Sequence, residues 1–106
     1  MDVTFKDQSL DRLETDATFS AGFGGDVVKA YRKAMQHIRA AADERTFYAR
    51  RSFHFEKLKG GRADQHSMRL NDQWRLIVEL HEQGEKQEGK PPPKKIVHIV
   101  EIVDYH

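Results

Sequence analysis

Between Ser67 and Leu80 the chain alternates apolar and polar side chains with a period of two. Met68 and Leu70 are interleaved with Ser67, Arg69 and Asn71, and Trp74, Leu76 and Val78 with Arg75, Ile77 and Glu79. Such alternation marks strands with one buried face. If Asn71-Asp72-Gln73 forms a three-residue hairpin loop, Leu70 opposes Trp74, and Met68, Leu70, Trp74 and Leu76 gather on one face. A two-residue loop at Asn71-Asp72 would set Leu70 beside Gln73 and split the apolar set, so the longer loop is expected. That register puts Arg69 and Arg75 opposite each other on the other face. Directly opposed like charges destabilise a sheet. An anion between them would relieve the repulsion, and phosphate matches the guanidinium fork best. The plainer reading is that both are solvated, or paired with Glu79 or Glu56 on the same sheet, where an exposed ion pair is worth roughly 0–1 kcal/mol.

The flanking pattern predicts the remaining elements. Asp2 to Lys6 reads as a short strand, and Gln8 to Glu14 as a short helix with Leu10 and Leu13 inward. After a glycine-rich joint, Asp26 is a plausible N-cap for the strongest helix in the chain. There Val27, Val28, Tyr31, Ala34, Met35, Ile38, Ala41 and Ala42 recur at three- and four-residue intervals, the stripe of a helix packed on a sheet. His37 beside it reads as solvated. Glu44 to Arg51 is a connection. Phe53 to Lys59 reads as a weak strand, with Phe53, Phe55 and Lys57 on one side and a bulge between Phe55 and Leu58. It leads into a Gly60-Gly61 turn. Glu82 to Lys95, with three prolines, reads as a solvated loop insertion over 82–95. Ile96 to Val103 is nearly all β-branched, as in a strand buried on both faces. Helices followed by an antiparallel meander make an α+β fold, with N-terminal helices on one face of the sheet and the arginines on the other.

Composition narrows the class. A chain of 106 residues with 33% charged and 38% hydrophobic residues fits one soluble domain. With no cysteine, neither a disulfide framework nor a thiolate metal site is available. The six histidines show no spacing that would hold an ion tetrahedrally, and neither metal nor cofactor is expected. No run is long enough to span a membrane and the N-terminus has no signal-peptide organisation, so a cytoplasmic protein is expected. The net charge of +1 hides an asymmetry. Residues 45–75 hold eight Lys/Arg against three Asp/Glu, whereas the segments before and after are each net acidic. Basic charge concentrated on the sheet segment is the footprint of a polyanion-binding surface, although solvated faces also carry such an excess.

The elements Leu58-Lys59-Gly60, Arg62, His66-Ser67, Arg69, Asn71, Gln73-Trp74-Arg75 and the ending Asp104-Tyr105-His106 together resemble the HigB family of toxins, within the RelE/ParE superfamily. They span about half the chain in the family's order. The resemblance implies a RelE-like fold and a ribosome-dependent endoribonuclease that cuts mRNA in the A site. It also implies a HigA-like helix-turn-helix antitoxin as partner. There are departures: Glu56 stands where many members have His, the 82–95 loop is longer than usual, and Ala49 to Ser52 lacks the common Pro-Gly.

Cleavage of this type uses the ribose 2′-OH as nucleophile on the adjacent phosphate. It needs a base, an acid for the departing 5′-oxygen, and positive charge on the transition state. From the resemblance and the charge pattern, Arg75, Arg69 and Lys59 would hold the scissile phosphate, with Arg62 and Lys57 as further RNA contacts. His106 would be the leading acid or base, since imidazole titrates near neutral pH. Asp104 would orient it or the substrate; Tyr105 would point to the opposite face of a regular strand, or turn to stack on an mRNA base; and Glu56 is the alternative base. His54, His66, His81 and His98 read as structural or surface. Two other functions are compatible with the scaffold: a ParE-like poison of DNA gyrase, and a non-catalytic antitoxin-binding or co-repressor module.

Overall fold

A computed structural model describes residues 1–59, 64–83, 88–89 and 94–104 of the chain. The elements follow in the order β1 (Asp2–Phe5), α1 (Gln8–Thr15), α2 (Gly25–Ala40), α3 (Arg45–Ala49), a 3₁₀ turn (Arg51–Phe53), β2 (Glu56–Lys57), β3 (Gln65–Arg69), β4 (Trp74–Gln83) and β5 (Lys94–Asp104). Five strands form one sheet in the order β1-β5-β4-β3-β2. Strands β2 to β5 are antiparallel, and β1 joins the far edge parallel to β5. The fold is α+β, with the helices against one face.

The helices form where local chemistry starts them. Asp7 caps α1, its carboxylate accepting from the Ser9 amide at 2.8 Å, and Leu10 and Leu13 turn inward. Helix α2 begins two residues earlier than Asp26 implied. Gly24 is its N-cap, and Asp26 sits in the first turn, where a carboxylate favours the helix dipole. The stripe Val27, Val28, Tyr31, Ala34, Met35 and Ile38 is buried as its spacing requires, and Ala41 with it; Ala42 is exposed beyond the end of the helix. Three features tie the helices down. The Tyr31 hydroxyl donates to the Leu10 carbonyl at 2.8 Å. Arg32 donates to the carbonyls of Leu13, Asp16 and Phe19. The Met1 ammonium donates to the carbonyls of Ile38, Arg39 and Ala41, capping the end of α2.

The hairpin takes the register expected from its alternation. Met68 pairs with Leu76 and Arg69 with Arg75, and the Leu70 amide donates to the Trp74 carbonyl at 3.0 Å, leaving Asn71, Asp72 and Gln73 as the loop. The Asn71 side-chain oxygen accepts from the Gln73 and Trp74 amides at 2.9 and 2.8 Å, which closes the loop. Met68, Leu76, Val78, Val97 and Ile99 face the helices and complete the core.

Four stretches depart from expectation. Phe53 to Phe55 is not strand. His54 takes a left-handed backbone, φ 42°, which ends the 3₁₀ turn and shortens β2 to two residues. Histidine tolerates that conformation better than β-branched residues do. Phe53 and Phe55 are buried all the same, under helices rather than in a ladder. The segment read as a plain connection holds the short helix α3, anchored by buried Phe47. Strand β5 owes its β-branched run to a position inside the sheet, flanked by β1 and β4. Ile96, His98, Glu101, Ile102 and Val103 are only half-buried, so it is not covered evenly on both faces. The ends of the expected 82–95 loop belong to β4 and β5, and residues 84–87 and 90–93 lie outside the described residues, as does the expected Gly60-Gly61 turn.

Candidate functional site

The sheet face opposite the helices carries the arginine pair. Arg69 and Arg75 are cross-strand partners, and Val103 of β5 continues their row beyond Arg75. The next row is Glu56, Ser67, Ile77 and Glu101. Glu56 therefore stands exposed on the arginine face, diagonal to Arg69. Lys57 pairs with His66, so register puts it on the helix-bearing side, at the exposed edge; Lys59 is exposed just beyond β2.

The arginine pair is not symmetrical. Arg75 is half-buried. Arg69 is turned toward the hairpin tip, where its Nε donates to the Asn71 carbonyl at 3.3 Å and its Nη2 pairs with the Asp72 carboxylate. Asp72 thus takes the place that the sequence pattern offered to Glu79 or Glu56. The Asp72 side chain is 94% exposed, so water screens the pair and it is worth only roughly 0–1 kcal/mol. A phosphate could displace it at little cost.

A bulge decides how the chain's last strand meets this face. Ile77 pairs with Glu101 but Val78 pairs with Ile99, so Val100 is an extra residue on β5. Below it Val97 and Ile99 face the helices; above it Ile102 does. Asp104 thus pairs with Trp74, a place Val103 would hold without the extra residue, and its carboxylate accepts from the Gln73 side-chain amide at 3.0 Å. Register puts it on the helix-bearing side with Trp74 and Ile102, at the arginine end of the sheet. Arg62, Tyr105 and His106 lie outside the described residues.

Sequence reasoning missed two features of this face. Ser67 and Ile77 are fully buried in its middle, and the Ser67 hydroxyl has no hydrogen-bond partner among the described residues. At the far end, Glu79 accepts from the Gln65 amide at 3.0 Å and lies 2.8 Å from the His81 Nε2. His98 lies 2.8 Å from the Thr4 hydroxyl. The Gln65 hydrogen bond, then that of His81, holds the Glu79 carboxyl below its usual range. The signal was available, since Arg75, Ile77, Glu79 and His81 share one parity. Among the described residues no three such groups could hold a metal ion.

A cavity of about 630 Å³ opens on the helical side between residues 17–25 and α2, with Phe19, Phe23 and Lys29 in its wall and none of the expected site residues. No described helix is long and apolar enough to cross a membrane.

Comparison with known proteins agrees with this geometry. Over the whole length of both chains, the structure is similar to a YoeB/ParE toxin from Agrobacterium tumefaciens, with a TM-score of 0.55 at 16% identity. At that identity the likeness shows the fold alone. No curated protein matches the sequence. The profile of a RelE-like toxin of the type II toxin–antitoxin system HigB matches residues 3–88. A match over that much of the sequence decides the family: the chain belongs to the HigB-like, RelE-like toxins of type II toxin–antitoxin systems.

Proposed function

We propose that this toxin is a ribosome-dependent endoribonuclease of the cytoplasm that cuts mRNA in the A site and so stops translation. The observation that carries the reading is the Arg69–Arg75 pair, opposed on the face free of helices, with Glu56 diagonal to it and the start of the terminal tripeptide at the same end. Two guanidinium groups on adjacent strands can hold the non-bridging oxygens of one phosphate and offset the charge that grows on them.

The reaction is in-line. The 2′-oxygen forms a bond to phosphorus while the bond to the 5′-oxygen breaks. One group removes the 2′ proton and another gives a proton to the departing oxygen. His106 is the leading candidate for one of these roles and Glu56 the alternative base. Asp104 orients, Tyr105 stacks on a base, and Lys57, Lys59 and Arg62 contact the RNA backbone. Membership of a type II family implies an antitoxin partner, and a HigA-like helix-turn-helix protein is the one proposed.

Induced expression tests the reading. The native chain is expected to arrest protein synthesis at once and leave cut transcripts on ribosomes. Arg75→Ala and His106→Ala are each expected to lower cleavage by about 10²-fold or more with the fold intact. Intact transcripts with ongoing translation, or DNA damage instead, would overturn it.

A further inference from the structure

Beside the hairpin, the short β2 leaves the last residues of β3 without a strand neighbour on their outer side, and the 3₁₀ turn lies there instead. Between that turn, α2 and β3 is a pocket of about 180 Å³, with Lys33, Arg50, Ser52 and Arg69 in its wall and Ala34 and Phe53 among its apolar residues. At roughly 30 Å³ per water, it has room for about six waters, enough for a phosphate group and part of a sugar.

Its charge is one-sided. Three cations line it and no carboxylate does. Of the three, Arg69 is paired with Asp72 at the hairpin tip. Among the described residues no carboxylate pairs with Lys33 or Arg50. The Arg50 guanidinium carbon lies 5.4 Å from the centre of the Phe53 ring, which holds it against the pocket wall. His37, edge-on to the same ring, has its pKa lowered by burial and then by the charges of Arg50 and Lys33, so both cations act on one locality. Lys33 and Arg50 are thus the uncompensated pair, and like charges around a small cavity are unfavourable until an anion enters.

We propose that this pocket is a second phosphate-binding site, which takes a phosphodiester of single-stranded RNA adjoining the one held by the open-face arginines. The proposal rests on the ribonuclease reading. It favours RNA over an acidic protein segment because Arg69 belongs to both places, lining the pocket and facing Arg75 across the ladder. A backbone leaving the arginine row at the sheet edge meets this pocket next. The Ser52 hydroxyl and the Arg50 fork can both donate to a phosphate there.

The test is binding of a short single-stranded oligoribonucleotide, 2′-O-methylated so that it cannot be cut, followed by fluorescence anisotropy across a salt series. The double variant Lys33→Ala/Arg50→Ala is expected to bind more weakly. Its log-affinity against log-salt slope should be shallower by about 0.7, the change for one phosphate that is no longer neutralised. Lys6→Ala/Lys29→Ala, with the same charge change away from the pocket, is expected to keep the native slope, and urea melts check that all variants fold. If the two doubles behave alike, or if the native chain binds no RNA, the pocket proposal falls. Poly-glutamate bound through Lys33 and Arg50 in place of RNA would overturn it in favour of an acidic partner. Weakening by the pocket double but not by Arg75→Ala would support the pocket and sink the arginine-row reading instead.

Discussion

His66 shows what one buried side chain does to the response of the fold to pH. It lies on β3 facing the helices, 8% exposed, with its ring stacked on Phe55 at 4.9 Å and an interplanar angle of 7°. Burial first, and then the neighbouring Lys57 charge, lowers its pKa from the usual 6.5. The folded chain therefore binds this proton less readily than the unfolded chain. Its contribution to stability is complete above 6.5 and is lost as the pH falls below that value toward the folded pKa. Urea midpoints are expected to fall on mild acidification. His66→Phe, which keeps an aromatic on Phe55, should flatten that fall in part, because His37 is shifted in the same direction. An unchanged pH profile in the variant would refute the role given to His66.

The hairpin is the element on which structure and chemistry meet. Asn71 fixes its loop, and the Asn71 side-chain amide donates to Asp26 at 3.1 Å, fastening the tip to the first turn of α2. Asp72, at the tip, competes with any phosphate for Arg69. Asp72→Asn is therefore expected to change stability by no more than about 1 kcal/mol and to tighten binding of the uncleavable RNA several-fold at low salt. The gain should fade as salt rises, since screening weakens exposed charge pairs. Anisotropy titrations of the native and variant chains would show it, and weaker binding by the variant would mean that Asp72 positions Arg69 rather than blocking it.

Over the whole molecule, the sheet divides the labour between its faces. The helical face holds the core, and the opposite face gathers guanidinium groups at one end. Tyr31 belongs wholly to the first. Its hydroxyl is buried against the Leu10 carbonyl, and burial is the main reason the phenol is pushed far above its usual pKa. Tyr31→Phe removes that hydrogen bond, while the carbonyl keeps its place in the α1 helix, and is expected to cost about 0.5–1.5 kcal/mol in urea unfolding, with RNA affinity unchanged. Combined with Asp72→Asn, the stability changes should add to within about 0.5 kcal/mol, as for separate sites. A larger coupling would mean that the two faces are not independent.

Local periodicity carried much of this. The alternation from Met68 to Val78 determined the hairpin register and the opposition of Arg69 and Arg75, because a slip of one residue would turn Arg69, Arg75 and Glu79 toward the core. The stripe from Val27 to Ile38 determined the buried side of α2 for a similar reason. The family was legible in motif order, and the excess of basic charge in composition. Tertiary structure decided what depends on distant or irregular contacts. It brought β1 alongside β5, more than ninety residues away. It took Phe53 out of the strand through the left-handed His54. It added Val100 as a bulge, so that Val103 rather than Ile102 continues the arginine row and Asp104 turns to the helix-bearing side. It also closed a pocket between Lys33, Arg50 and Arg69, which are far apart along the chain. A repeat of two or 3.6 residues says which side of an element is apolar; what that side meets, and which charges converge beside it, follows only from packing the elements together.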